Sequence, residues 1–208
     1  MKPRHLILLF GTVFWALTVG VGLGKLGEYS FSPGGEGHPP GRWPADSKLQ
    51  PRPGKPVLVM VAHPQCPCSR ASVGELSRLM AEAPVELSAY VLFVRPEGFD
   101  EAWVETDLWR SAAAISGVNV VSDDDAREAR RFGAATSGQT ILYDGEGRLQ
   151  FSGGITASRG HSGDNAGRSA IVSLLAHPAA NQAKTPVFGC SLFTPDARCR
   201  EGAILCKR

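Results

Sequence analysis

Apolar positions along the chain fall into two regimes. Residues 6–23 (LILLFGTVFWALTVGVGL) carry no formal charge, whereas from residue 56 onward short apolar runs alternate with stretches of helical periodicity. The first regime reads as a membrane span, which needs about 20 apolar residues, where a cleaved signal has an apolar region of about 7–15. No Ala-x-Ala cleavage pattern follows it. Residues 1–25 are therefore expected to remain as a transmembrane anchor, with a cleaved signal peptide as the alternative. In the second regime, residues 56–62 (PVLVMVA) predict a buried strand. Val73, Leu76, Leu79, Met80 and Ala83 then line one face of a helix over about 69–83. A second apolar run spans 85–94, and Phe99, Ala102, Trp103, Leu108, Trp109 and Ala112 make the apolar face of a helix over about 99–115. A short strand at 119–122 precedes a helix opened by Asp123, Asp124 and Asp125 and running through Phe132, with acids placed to suit its dipole. Runs at 139–144 and 149–153 flank Asp144-Gly145-Glu146-Gly147, a hairpin signal, and a helix over about 165–176 closes the pattern.

That order predicts an α/β fold, a mixed central sheet with helices on both faces. Residues 26–55 are rich in Gly and Pro without periodicity, so they read as a tether in which Trp43 either docks on the body or stays in solvent, and His38 is inert. The expected organisation is an anchor at 1–25, the tether at 26–55, a folded domain at 56–177 and a cysteine-containing tail at 178–208.

Composition narrows the partners. A hydrophobic share of 43% and a charged share of 20% allow a real core in a chain of 208 residues. Of 22 basic residues, Lys2, Arg4 and Lys25 belong to the N-terminal segment, which leaves 19 against 20 acidic ones. No basic face is implied, and nucleic acid is not an expected partner. Lys2 and Arg4 before the span should stay cytoplasmic, sending the rest to the periplasmic side of the cytoplasmic membrane. That compartment is oxidising, and cysteine pairs persist there.

Five cysteines stand at 66, 68, 190, 199 and 206. The first two sit in His63-Pro64-Gln65-Cys66-Pro67-Cys68-Ser69-Arg70-Ala71-Ser72, between the first strand and the first helix. A thiol at a helix N-terminus is favoured as thiolate, so Cys66 is the expected nucleophile. Pro67 would stiffen the turn, and Ser69 or Ser72 would cap the helix, with Ser72 and Glu75 spaced as a capping box. Cys66 has two prospective partners. Cys68 is only two residues away and needs a bent backbone. Cys190 lies in Thr185-Pro186-Val187-Phe188-Gly189-Cys190, apolar enough to fold back on the body. Cys199 and Cys206 are spaced for a local disulfide. The Gly- and Ser-rich stretch 153–164 is expected as a loop. Either it brings Arg159 and His161 to the thiols, or it is a surface loop whose Asp164 or Asn165 caps the last helix.

Cysteines placed just after the first core strand, in this order of elements, resemble the thioredoxin-like superfamily over about residues 55–176. Phe132-Gly133, Thr140-Ile141-Leu142-Tyr143 and Asp144-Gly145-Glu146-Gly147 are similar to the segment of that fold that approaches the active site and then turns through a hairpin. The wider layout resembles the bacterial RedB-type thioredoxin-like proteins. It combines anchor, tether and Cys66-Pro67-Cys68-Ser69 with the run from Phe151 through Arg159-Gly160-His161, and Phe188-Gly189-Cys190 near the end. The resemblance implies thiol–disulfide exchange with cysteines of envelope proteins. Cys66 would attack, Cys68 or Cys190 would resolve, and Gln139 and Thr140 would line the partner's groove. Two departures stand out. Ser69 occupies the place of the family's second cysteine, and Gln139 that of its cis-proline. A cis bond without proline costs about 3–4 kcal/mol, so a trans bond and an altered groove are expected. No cofactor is needed for exchange. The rival reading is a copper metallochaperone using Cys66 and Cys68 with His161 or His63, since thiolate and imidazole suit Cu(I). In a third, the fold only binds partners.

Overall fold

The computed structural model describes residues 3–177 and 182–193, and the chain divides into two compact units between Ser32 and Pro33. The first holds one helix, α1 (Pro3–Phe31), long and apolar enough to cross a membrane, with mean hydropathy 2.2 over its most apolar window. It runs past the expected end at residue 25. Lys25 pairs with Glu28 at 2.8 Å, and the Ser30 and Ser32 hydroxyls bond back to the Leu26 and Glu28 carbonyls. Pro33 then stops it, because the residue before a proline is pushed out of the helical region. The start of the expected tether is thus helical.

The second unit begins its sheet with β1 (Val57–Ala62), all six residues buried, and α2 (Pro67–Glu82). Then come β2 (Ser88–Arg95), a 3₁₀ turn (Glu101–Trp103), α3 (Asp107–Ala113), β3 (Val118–Asp124) and α4 (Arg127–Arg131). The hairpin strands β4 (Gln139–Tyr143) and β5 (Leu149–Gly153), α5 (Ala166–Ala176) and the two-residue β6 (Ala183–Lys184) complete it. The sheet order is β3-β2-β1-β4-β5-β6. β1, β2 and β3 are mutually parallel, β4 runs antiparallel to both β1 and β5, and β6 lies parallel to β5. The mixed sheet, parallel half first and hairpin second, is the one the pattern predicts.

Alternate residues of β1 serve two cores. Leu58, Met60 and Ala62 pack with Val73, Leu76 and Leu79 of α2, Leu108 and Ala112 of α3, and Ile171 of α5. Val57, Val59 and Val61 face the other way, with Ile141, Tyr143, Ala129 and Phe132. Among the described residues, only the short α4 covers that second face by helix. Each large apolar side chain left open there would forgo about 1.5–3 kcal/mol, and residues 38–50 supply the missing cover. Trp43 meets Phe132 and Tyr143 edge-on at centroid distances of 4.9 and 5.3 Å, and Leu49 is buried. The amide of His38 donates to the Gly133 carbonyl, that of Trp43 to Gly147, and the Tyr143 hydroxyl to Pro40. Residues 33–55 are therefore a lid on the sheet. The tether reading fails here because aperiodic Gly/Pro sequence can lie flat on a surface as readily as it can swing free.

Two helices also differ from expectation. The stretch 99–115 breaks at Thr106, whose Oγ1 accepts from the Trp109 amide and caps α3. The acidic trio ends β3 and reaches forward to α4. The Asp123 carboxylate accepts from the amides of Glu128 and Ala129 at 2.8 and 2.7 Å, an N-cap from outside the helix.

Candidate active site

The turn after β1 is closed by the Cys66 amide on the His63 carbonyl at 3.1 Å, and the Ser69 amide donates to the Cys66 carbonyl at 3.1 Å. Pro67 takes the first helical position, where its missing N–H costs nothing. Cys66 itself is the N-cap residue, and no side chain caps α2. The expected Ser69 cap and Ser72–Glu75 capping box are not formed. The helix starts one turn earlier than the serines suggest, so both lie inside it.

Freed from capping, Ser69 does something else. Its hydroxyl lies 2.7 Å from the Ser137 hydroxyl, and the His63 amide donates to Ser137 Oγ at 2.7 Å. Either hydroxyl can be the donor of the Ser69–Ser137 bond, and the Ser69 side chain also hydrogen-bonds the Cys66 sulphur. The Cys66 and Cys190 sulphurs lie 3.2 Å apart, within hydrogen-bond reach. Cys66 is 4% exposed, and burial by itself would raise its pKa. The Cys190 thiol and then the Ser69 hydroxyl outweigh burial and draw it down to about 4. The same bond between the two sulphurs pushes the Cys190 pKa up. Cys68 is also buried, and desolvation with the neighbouring Cys66 charge keeps it a thiol.

Cys190 arrives by a backbone pairing. The Ser137 amide donates to the Cys190 carbonyl at 2.8 Å, Leu192 donates to Ala135 at 3.0 Å, and Thr136 and Ser191 form an antiparallel bridge. The loop after β5 does bend toward the sulphurs. Arg159 donates to the Gly189 carbonyl, and its charge favours the ionised forms of Cys68 and Cys190. His161 is exposed. His63 is held by the Gln65 amide on its Nδ1 and by the edge of Trp103, and burial lowers its pKa. Among the described residues, no group of three or more His, Cys, Asp or Glu side chains gathers as a metal ligand set. Asn165 caps α5 through the Arg168 amide.

The groove residues land elsewhere. Every peptide bond described is trans, that of Gln139 included. Gln139 is buried, its Oε1 accepting from the Ala135 amide and its Nε2 directed at Ser152, beside a cavity of about 440 Å³ that Pro186 and Val187 also line. Thr140 is fully buried, its hydroxyl on the Gly138 carbonyl. β4 lies between β1 and β5 with both faces covered, so successive residues that point to opposite faces are all buried. The residue that bonds Ser69 and the Cys190 backbone is Ser137, which no sequence motif marked. Its only signal was its place just before β4. Cys199 and Cys206 lie outside the described residues.

The thiolate assignment carries a pH signature. A thiol whose folded pKa lies below its unfolded value of about 8.5 contributes its full stability above that value and loses it as pH falls toward the folded value. Cys190 works in the opposite direction above its unfolded pKa. The reduced protein should thus gain stability from pH 4 to about 8.5 at up to about 1.4 kcal/mol per pH unit from this pair, then lose it. The ultraviolet absorbance of thiolate should persist at neutral pH and vanish through about pH 4. Ser69→Ala should move that midpoint up by about one pH unit, one lost hydrogen bond. A midpoint near the ordinary thiol value in the unaltered protein would refute the assignment.

No family model matches this chain, and no curated protein matches its sequence. Solved structures do resemble it. An uncharacterised conserved protein from Geobacillus kaustophilus is 18% identical, with 80% of this chain and 95% of that one covered and a TM-score of 0.57. A hypothetical protein from Sinorhizobium meliloti 1021 is 19% identical, covering 81% and 97%, at a TM-score of 0.52. A secreted disulfide oxidoreductase from Mycobacterium tuberculosis is 15% identical over 60% of this chain and 82% of that chain, at 0.44. At such identities the likeness concerns the fold. With β1 and β2 parallel, the β4–β5 hairpin antiparallel and helices on both faces, the chain has a thioredoxin-like fold.

Proposed function

We propose that the chain is a membrane-anchored thiol–disulfide oxidoreductase working on the extracytoplasmic side, with Cys66 as nucleophile and Cys190 as resolving cysteine. One observation carries the reading. A buried sulphur, beside the linked Ser69 and Ser137 hydroxyls, stands 3.2 Å from a second sulphur presented by the tail. The thiolate is the attacking species in exchange, and Cys190 is already in place to complete it. α1 supports anchoring by its length and composition, and Lys2 and Arg4 support its orientation. The partners would be cysteine-bearing envelope proteins. The RedB-type likeness belongs to this proposal, since it joins the Cys66 turn and the Phe188-Gly189-Cys190 tail in one active unit.

The test is disulfide mapping of the full chain in mild detergent, reduced and then treated with oxidised glutathione. The expected product joins the Cys66 peptide to the Cys190 peptide. Cys66 left as a free thiol after the other cysteines have oxidised would overturn the function, and a Cys66–Cys68 pair would overturn the role of Cys190.

A further inference from the structure

The segment around Cys190 lies in a channel shaped for bare backbone. A Cβ on Gly189 would stand 1.9 Å from the Ser137 carbonyl oxygen, and one on Gly154 would stand 2.6 Å from the Pro186 carbonyl oxygen. Neither position has room for a side chain. The Gly34 amide donates to the Val187 carbonyl at 2.8 Å, and the Gly154 amide to the Pro186 carbonyl at 3.2 Å. Arg159 takes the Gly189 carbonyl, Ser137 takes the Cys190 carbonyl, and Val187 is buried. The segment runs beside residues 135–137, joined by the antiparallel Thr136–Ser191 bridge and two flanking main-chain bonds, and main-chain bonds of this kind are the means by which a foreign peptide augments a sheet edge.

We propose, resting on the reading above, that residues 187–191 occupy the partner's own place. The partner presents an extended strand with an apolar residue, one free position, Gly and then Cys, and it docks antiparallel to residues 135–137 only when the tail has left. Specificity then resides in Gly. The Ser137 carbonyl that excludes a Cβ at position 189 excludes one at the residue before the partner's cysteine. Exchange follows as substitution in one channel. Cys66 thiolate attacks the nearer sulphur of the partner's disulfide and forms a mixed disulfide, and the partner's other sulphur leaves as thiolate and is protonated from water. The tail returns, Cys190 gives its proton to water and attacks the Cys66 sulphur as thiolate, and the partner's first cysteine departs as thiolate and is protonated from water. The partner gains two electrons and becomes a dithiol, while Cys66 and Cys190 become a disulfide. While the tail is bound the apparent affinity for partner is divided by the small fraction of time the channel is open.

The test uses the full chain in detergent, carrying Cys190→Ser to isolate the first step. The probes are the hexapeptide Val-Phe-Gly-Cys-Ser-Leu and its Val-Phe-Ala-Cys-Ser-Leu counterpart, each as a mixed disulfide with thionitrobenzoate, and the glutathione mixed disulfide as a small control. Adding Gly189→Leu, or independently Val187→Asp, should expel the tail and speed capture of the Gly peptide roughly tenfold or more, with the Ala peptide at least tenfold slower than the Gly peptide on the same variant. Two variants at different points of the segment guard against one that misfolds. Equal rates for the two peptides, or no acceleration in either variant, would overturn the inference while leaving Cys66 a working nucleophile. Failure of all three probes to form a mixed disulfide in any variant would instead overturn the function itself.

Discussion

Cys66→Ser should lower the rate of disulfide reduction by at least about a thousandfold, whereas Cys190→Ser should leave the first attack intact and stall the second. The difference follows from where the charge sits. A serine hydroxyl at position 66 would receive the same donors, Cys190 and Ser69, but it cannot be held as an anion at neutral pH, and exchange needs the anion. At position 190 a hydroxyl still donates to the Cys66 sulphur, so thiolate survives, but no second sulphur is present to release the partner. Turnover in Cys190→Ser should fall about a hundredfold or more while a covalent complex accumulates, as expected when residues act in sequence on one intermediate. Non-reducing gels and single-turnover kinetics on the same samples separate the two outcomes. Equal losses with no trapped complex would remove Cys190 from the chemistry.

Glu75→Ala should destabilise the folded unit by about 3–5 kcal/mol, the cost of leaving a buried ionic cluster without its centre. The Glu75 side chain is fully buried in α2. It receives Arg78 at 2.7 Å, the Gly163 amide at 2.8 Å and Asn165 Nδ2 at 3.2 Å, with Arg168 at 3.4 Å. Those contacts tie α2 to the end of the loop that carries Arg159 and to the start of α5. Arg168, only 12% exposed at its side chain, would lose its buried partner and keep the exposed carboxylates of Glu82 at 2.9 Å and Asp164 at 3.1 Å. Exposed pairs such as Arg70–Asp107 at 2.6 Å should by contrast contribute about 0–1 kcal/mol. Urea denaturation of the full chain in detergent measures both. Glu75→Gln, which keeps the shape and one acceptor, should recover part of the loss. A cost below about 1 kcal/mol for Glu75→Ala would show that the cluster is not a structural centre.

Spacing and composition carried much of this molecule. Apolar runs at 56–62, 85–94 and 139–144, helical periodicity between them and the Asp144–Gly147 turn were sufficient for the α/β sheet, because such patterns answer to local geometry and burial alone. The same holds for α1 and for a cysteine at the mouth of α2. The contents of the site were another matter. Ser72 and Glu75 have the spacing of a cap, yet packing placed the helix start at Pro67 and turned Glu75 into a buried anchor. Gln139 and Thr140 sit at the expected point of the chain, yet β4 carries both side chains into buried surroundings and leaves Ser137 to bond Ser69 and the Cys190 backbone. Residues 33–55 have no periodicity to reveal that they cover a sheet face, and Cys190 lies 124 positions from Cys66. Periodicity reports which face of an element is apolar. It carries no information about which distant backbone will come to lie against that face, since this is set by the space the other elements leave unfilled.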